Sequence, residues 1–471
     1  MSIQSPVQPA PYQPTWSSLR AHHTARWFQE AKFGVYTHWG VYSVPAYRHP
    51  TAGQDVTWYG RNMYFKGTPQ HAHHLQTYGD PSQFGYKDFI PLFTGEKFDP
   101  DEWAELYQQS GARYAGTVGE HHDGFCMWDT RLSDWSAAKL GPRRDVVGEL
   151  EQAIRRQGLK FLVALHHAEN WWFYPHAPQQ SDTADPRYAG LYGETRPHAG
   201  QNIGPELFDP ATSSSVERDA WLFEQARPSA KFLERWLNKI TELIDRYGPD
   251  MLWFDFGIRA VPDYYKQQFL AYYYNQSALH GRDVAVTFKK FDLAPGGGVV
   301  DLEAGRMPAL TYHAWNTDTS VDDSRAWGYY RDARYKSTAS LVHYLVDNVS
   351  KNGHLLLNIG PRPNGTLPEP AVEVLRGMGR WLAVNGEAIY GTTSWYLHGE
   401  GPTGFQTGVS GNEKDVAGFT ARDIRFTTRD NALYAICLGW PGAQVTIATL
   451  KALYPSEIEA ITMLGSEQRL K

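Results

Sequence analysis

Short apolar runs recur along most of the chain, and longer stretches with apolar residues three or four apart lie between them. The runs at 33–36, 114–118, 161–165, 251–254, 284–288, 310–314 and 355–359 are rich in β-branched or aromatic residues and bounded by turn residues, which predicts strands. The intervening stretches at 100–110, 145–157, 229–247, 262–279, 338–350 and 370–385 predict helices. In the third of these, Phe232, Trp236, Ile240, Leu243 and Ile244 fall close to the 3.6-residue period of one helical face. Strands alternating with helices predict βαβ units and a parallel sheet. The phosphate-binding glycine fingerprint of an open doubly wound sheet is missing, and Gly296-Gly297-Gly298 after Pro295 reads as a loop. The pattern therefore predicts a (β/α)8 barrel over 1–390.

Beyond residue 390 the character changes. Short strand-like runs at 419–426, 433–438 and 443–447 are separated by polar or Pro/Gly turns at 428–431 and 440–442, without a helical period. This predicts a small all-β, sandwich-like domain over 391–471, short enough to look truncated.

Composition narrows the function classes. With 42% hydrophobic and 20% charged residues the chain is ordinary for a globular protein, and a net charge of −6 gives no basic footprint for nucleic acid. No run approaches the roughly 20 apolar residues that span a bilayer. The first 24 residues contain Pro6, Pro9, Pro11 and Pro14 and lack the basic start and apolar segment of a secretion signal, which predicts a soluble cytoplasmic protein, with secretion or a periplasmic site the alternative if a signal was removed ahead of this numbering. Cys126 and Cys437 lie far apart in sequence, so no disulfide framework is implied. The 17 Trp and 28 Tyr would suit sugar C–H faces stacking on rings, and would equally suit a well-filled core.

In a parallel barrel the chemistry sits on the loops at the C-terminal ends of the strands. His38, the pair His121 and His122, and the pair His166 and His167 each follow a strand candidate. A neutral imidazole both gives and takes a hydrogen bond, as a sugar hydroxyl requires; structural capping and metal ligation are the competing uses, and the usual helical or close-loop metal spacings are missing. Asp255 ends the aromatic strand containing Trp253, and Glu303 lies on a loop after the next strand. Two carboxyl groups whose environments separate their pKa values can divide the roles of nucleophile and acid/base in glycoside hydrolysis, whereas two surface acids would do nothing of the kind.

Several motifs recur together in order: Trp27-Phe28, Lys32-Phe33-Gly34-Val35-Tyr36-Thr37-His38-Trp39-Gly40, His121-His122-Asp123-Gly124-Phe125, Leu252-Trp253-Phe254-Asp255, Trp327-Gly328-Tyr329, and Asn352-Gly353-His354-Leu355-Leu356-Leu357-Asn358-Ile359-Gly360-Pro361 with Asn364-Gly365-Thr366-Leu367-Pro368. Jointly they resemble the α-L-fucosidases of glycoside hydrolase family 29, over about residues 27–390. The resemblance implies a retaining exo-α-L-fucosidase that removes terminal fucose from fucosylated glycans or glycosides without metal or organic cofactor. It implies Asp255 as nucleophile, His38, His121, His122, His166 and Trp253 lining the fucose pocket, and Trp39 and Trp327 near it. Glu303 is inferred as acid/base from its place after the following strand and its Glu-x-Gly-Arg context. Glu120 stands where the family often has Lys, Thr57 where an acidic residue is common, and Leu165-His166-His167 replaces a more usual Tyr-(Tyr or His)-Ser stretch. Two other classes remain as alternatives: a fucose-binding protein on a degenerate barrel, and a metal-dependent barrel hydrolase using the histidines as ligands.

Overall fold

The computed structural model describes residues 11–49, 56–174, 182–194, 227–289, 292–324, 326–404, 418–452, 455–467 and 470. Pro6 and Pro9 of the proline-rich start lie outside them. Eight parallel strands close into a barrel in chain order: β1 (Phe33–Thr37), β2 (Tyr114–Glu120), β3 (Lys160–Leu165), β4 (Met251–Phe254), β5 (Ala285–Lys289), β6 (Val299–Asp301), β7 (Trp315–Ser320) and β8 (Gly353–Ile359). Pairing of Val35 with Leu357 closes the ring between β1 and β8.

The six long helices lie where periodicity places them: α1 (Pro100–Gln109), α2 (Val146–Arg156), α3 (Ala230–Tyr247), α4 (Asp263–Leu279), α5 (Thr338–Ser350) and α6 (Glu369–Asn385). Their starts are chemically specified. The side chains of Asp99, Asp145, Ser229 and Ser337 accept backbone N–H groups in the first turns of α1, α2, α3 and α5, each satisfying a donor the helix itself cannot. Helix α3 ends at Gly248, whose φ of 50° is the left-handed conformation a helix stop favours. Its apolar stripe, Leu233, Trp236, Ile240, Leu243 and Ile244, is buried in the layer between helices and barrel.

Two strands differ from the sequence expectation. The run at 310–314 is a loop in which Tyr312 is 93% exposed. The strand begins at Trp315, and the preceding strand is the three-residue Val299–Asp301, which the apolar pattern does not mark. The reason is the polarity of the barrel interior on this side: Asn316 and Asp318 of β7 point into a buried hydrogen-bonded network with Lys289 and Asp301, so β7 carries no apolar face there.

In the C-terminal part, β9 (Thr393–Glu400), β10 (Ile424–Arg429) and β11 (Ala432–Cys437) form a three-stranded antiparallel sheet with β10 in the middle. Strand β9 has no counterpart in the sequence expectation, and 443–447 is irregular. Among the described residues of this part there is one sheet, and helix α5 supplies its second layer. Arg425 of β10 donates to Asp347 of α5 at 2.7 Å, and Asp347 also binds Lys351 at 2.9 Å, an ion cluster with every member buried. Both cysteines are free, and no helix among the described residues is long and apolar enough to cross a membrane.

Candidate active site

The barrel's C-terminal mouth is organised by a fault in β2. From Tyr114 to Val118 its register with β3 is regular, Val118 opposite Ala164, but the next pair is Glu120 with Leu165, so Gly119 is an extra residue. Such a bulge reverses the alternation beyond it. Glu120 consequently turns outward to helix α3, where both of its oxygens lie 2.6 Å from Lys239 Nζ. His121 turns inward, stacked on His166 at 4.4 Å between ring centroids and 5.6 Å from His38.

The protonation pattern of this cluster follows from its hydrogen bonds. Asn358 donates its amide to the Trp327 carbonyl at 2.7 Å, so its oxygen faces His38, accepting from the His38 backbone N–H at 2.9 Å and from Nδ1 at 2.8 Å. His38 therefore carries its proton on Nδ1 and presents a lone pair on Nε2, 3.1 Å from His166 Nε2, which must be the donor. Burial pushes His38 down to about 4 and holds His121 and His166 well below the usual histidine range, so all three are neutral at pH 7.

His122 is the opposite case. Burial disfavours its charge, but the Glu169 carboxylate and then Asp255 overcome that, and its pKa is pushed up to about 9. As an imidazolium it donates through Nδ1 to the His166 carbonyl at 2.8 Å, with Glu169 at 3.5 Å, and faces Asp255 Oδ2 through Nε2 at 3.4 Å. Asp255 in turn would be raised by its burial, yet the His122 hydrogen bond and charge, with Lys289 behind them, hold it below the usual carboxylate range. The result is a half-buried carboxylate at the end of β4 that favours its ionised form, with His166 Nε2 at 4.0 Å on its other side.

Lys289, the last residue of β5, falls one residue beyond the strand candidate that sequence marks, and sequence reasoning missed it. Its ammonium lies 2.6 Å from Asp301 and 2.5 Å from Asp318, and 4.7 Å from the Trp253 ring centroid. The Trp253 indole donates to Asp301 at 3.2 Å and the Tyr36 hydroxyl to Asp318 at 2.9 Å. Glu303 sits half-buried on the loop after β6 and acts on the same group of charges: with Asp301 and Asp318 it raises Lys289, and it helps to raise Asp318. Asp255 and Glu303 thus share Lys289 as a common electrostatic neighbour. Two non-glycine residues beside the pocket hold left-handed backbone, Ala304 at φ 42° and Trp327 at φ 57°, a strain that clusters at sites where geometry is over-determined.

The structure brings His38, His121, His122, His166, Trp253, Trp327 and Asp255 together. It does not bring Trp39. Because His38 faces inward, its neighbour faces outward, and Trp39 is fully buried against Phe93, Phe98 and Trp103 with its indole on the Arg362 carbonyl. His167 likewise turns away, toward the Trp236 carbonyl.

The chain matches known proteins in sequence and in fold. The family model described as alpha-L-fucosidase covers residues 1–387. The chain belongs to the α-L-fucosidase family. It is 32% identical to rat tissue alpha-L-fucosidase, over 98% of this chain and 86% of that one, and 31% identical to the human tissue enzyme, over 100% and 87%. Among solved structures, Thermotoga maritima alpha-fucosidase in complex with fucose superposes with a TM-score of 0.68 at 32% identity, covering 92% of this chain and 87% of that one. Fold and sequence both identify this member of glycoside hydrolase family 29 as a glycosidase of the α-L-fucosidase type.

Proposed function

We propose that this family member is a retaining exo-α-L-fucosidase that releases terminal fucose from oligosaccharides or glycoconjugates by double displacement. The observation that carries the reading is Asp255, half-buried at the end of β4 and kept ionised by the imidazolium of His122. A carboxylate in that state is a nucleophile ready to attack. The Thermotoga maritima relative binds fucose; here the neutral imidazoles of His38, His121 and His166, with the Trp253 and Trp327 rings, would receive the hydroxyls and C–H faces of that sugar. Asp255 attacks the anomeric carbon while Glu303 protonates the departing oxygen, leaving a β-linked fucosyl-enzyme. Glu303 then takes a proton from water, which attacks the same carbon and regenerates Asp255 with the original anomeric configuration. The cycle uses no cofactor.

The test is an aryl α-L-fucoside followed by NMR before mutarotation. α-L-Fucose should appear first; β-L-fucose first would remove the double displacement. Azide assigns the roles. Asp255→Gly should lose hydrolysis and give the inverted β-L-fucosyl azide, whereas Glu303→Ala should accept azide on the covalent intermediate and give the α-L-fucosyl azide. If Glu303→Ala is not rescued, another residue is the acid/base.

A further inference from the structure

The three neutral imidazoles in the pocket have a second chemical capacity. One nitrogen from each of His38, His121 and His166 lies within 4.8 Å of the other two, and all three side chains are buried. Three imidazole nitrogens at 2.0–2.1 Å from a tetrahedral Zn2+ would be roughly 3.4 Å apart. The His38 Nε2 to His166 Nε2 separation is 3.1 Å, so one edge of that triangle exists already, and the His121 ring, now stacked on His166 at 21° between planes, would turn to complete the other two. Tautomers do not obstruct it. The Asn358 oxygen fixes the His38 proton on Nδ1 and leaves Nε2 as a lone pair, the arrangement in which a second partner orients a ligating histidine. His166 would move its proton from Nε2 to Nδ1, an atom without a protein partner, so coordination transfers one proton within the ring and releases none. Asp255 Oδ2, 4.0 Å from His166 Nε2, places a negative charge beside the cluster against the nearby His122 and Lys289 cations.

We propose that His38, His121 and His166 form a metal trap inside the sugar pocket, taking Zn2+ or a similar late first-row divalent ion as an inhibitor in competition with substrate. Imidazole donors with an open position favour such ions. The competitive half of the inference rests on the fucosidase reading; the metal half rests on the three histidines alone.

The experiment titrates Zn2+ calorimetrically into the chelator-treated full-length protein, wild type and His121→Ala, and repeats it with Co2+ to read the visible bands of a four-coordinate ion. His121→Ala is the variant of choice because His121 Nδ1 holds no partner in the protein, and thermal unfolding checks its fold. One Zn2+ should bind per wild-type chain, about tenfold or more weakly in His121→Ala, and L-fucose should displace it from the wild type. Against an aryl fucoside, Zn2+ should raise KM and leave kcat unchanged, while the chelated enzyme stays active. The proposal falls if no heat of binding is seen, if His121→Ala binds Zn2+ as the wild type does, or if L-fucose leaves binding untouched in an active enzyme. It falls also if activity is lost on chelation and restored by Zn2+. Failure of the fucosidase reading looks different: the metal-free protein would not turn over the fucoside, yet Zn2+ would still bind in a His121-dependent way.

Discussion

His122 is the residue whose ionisation the site depends on, and its state can be measured directly. In an unfolded chain its pKa is 6.5; in the fold, burial opposes the charge but Glu169 and Asp255 raise it to about 9. Because the folded value is the higher one, the stabilisation is fully present below about pH 6.5 and disappears as pH rises through about 9. A difference of roughly 2.5 units corresponds to about 3 kcal/mol at 1.36 kcal/mol per unit. Replacing His122 by Asn removes the titration while keeping a donor. The stability difference between wild type and His122→Asn, from denaturant unfolding, should therefore shrink by about 3 kcal/mol between about pH 6 and pH 10.5. Imidazole NMR gives the same answer residue by residue: the signal missing in His122→Asn should titrate near 9, while those of His38, His121 and His166 stay neutral throughout. In Asp255→Asn the His122 value should drop, with Glu169 left as its main support. A His122 resonance that titrates below pH 7 in the wild type would refute the reasoning and, with it, the idea that a fixed cation keeps Asp255 ionised.

Three further outcomes follow from the same geometry. Glu120→Gln should cost about 3–5 kcal/mol by leaving Lys239 buried and unpaired, and adding Lys239→Met should recover part of that loss; equal melting temperatures for single and double variants would argue that the pair is not coupled. Lys289→Met should move the acid limb of kcat/KM to higher pH, because Lys289 is one of the charges that lower Asp255, and an unmoved limb would detach Lys289 from the nucleophile. Gly116→Ala should lose about 3 kcal/mol or more of stability in denaturant melts, since a methyl there would stand 1.8 Å from the Leu162 carbonyl oxygen and force β2 from β3; near wild-type stability would show that the two strands can part.

How much of this is legible in sequence depends on which face of a strand carries the signal. Six barrel strands pack apolar side chains outward against helices, as Phe161, Val163 and Leu165 of β3 do, and they stand out as apolar runs. Strand β7, Trp315–Ser320, carries polar residues inward, and β6 is only three residues long, so neither can compete with the exposed but more apolar 310–314. Helices are easier because most have an apolar stripe and a capping side chain before it, α4 with its spread of tyrosines being an exception. Within the site, strand ends locate the histidines and Asp255, but not their directions. Trp39 and His167 follow inward-facing histidines and so point outward, which requires knowing the parity of each strand. Lys289 has a visible signal, as the first of two lysines that follow an apolar strand, and Asp318 has one in the polar Thr-Asp-Thr-Ser stretch. Neither can be interpreted until closure of the barrel brings β5, β6 and β7 together.

Parity also explains the departure at position 120. With regular alternation after Val118, Glu120 would project into the sugar pocket beside Asp255 and His121 would lie against helix α3. Two carboxylates sharing one imidazolium repel each other and raise each other's pKa, so the nucleophile would compete with Glu120 for the charge of His122. The extra residue at Gly119 removes that conflict in one step. It sends the acid outward to Lys239, whose side chain is as buried as the acid itself, and delivers the imidazole of His121 to the pocket. A glycine suits the bulge sterically as well: a side chain at 119 would meet Val163 Cγ1 at 2.8 Å. The Glu120–Lys239 pair and the inward turn of His121 are thus two consequences of one backbone irregularity. The outer ion pair locks the strand end against α3, and that lock fixes the direction of a side chain in the pocket although neither Glu120 nor Lys239 faces it.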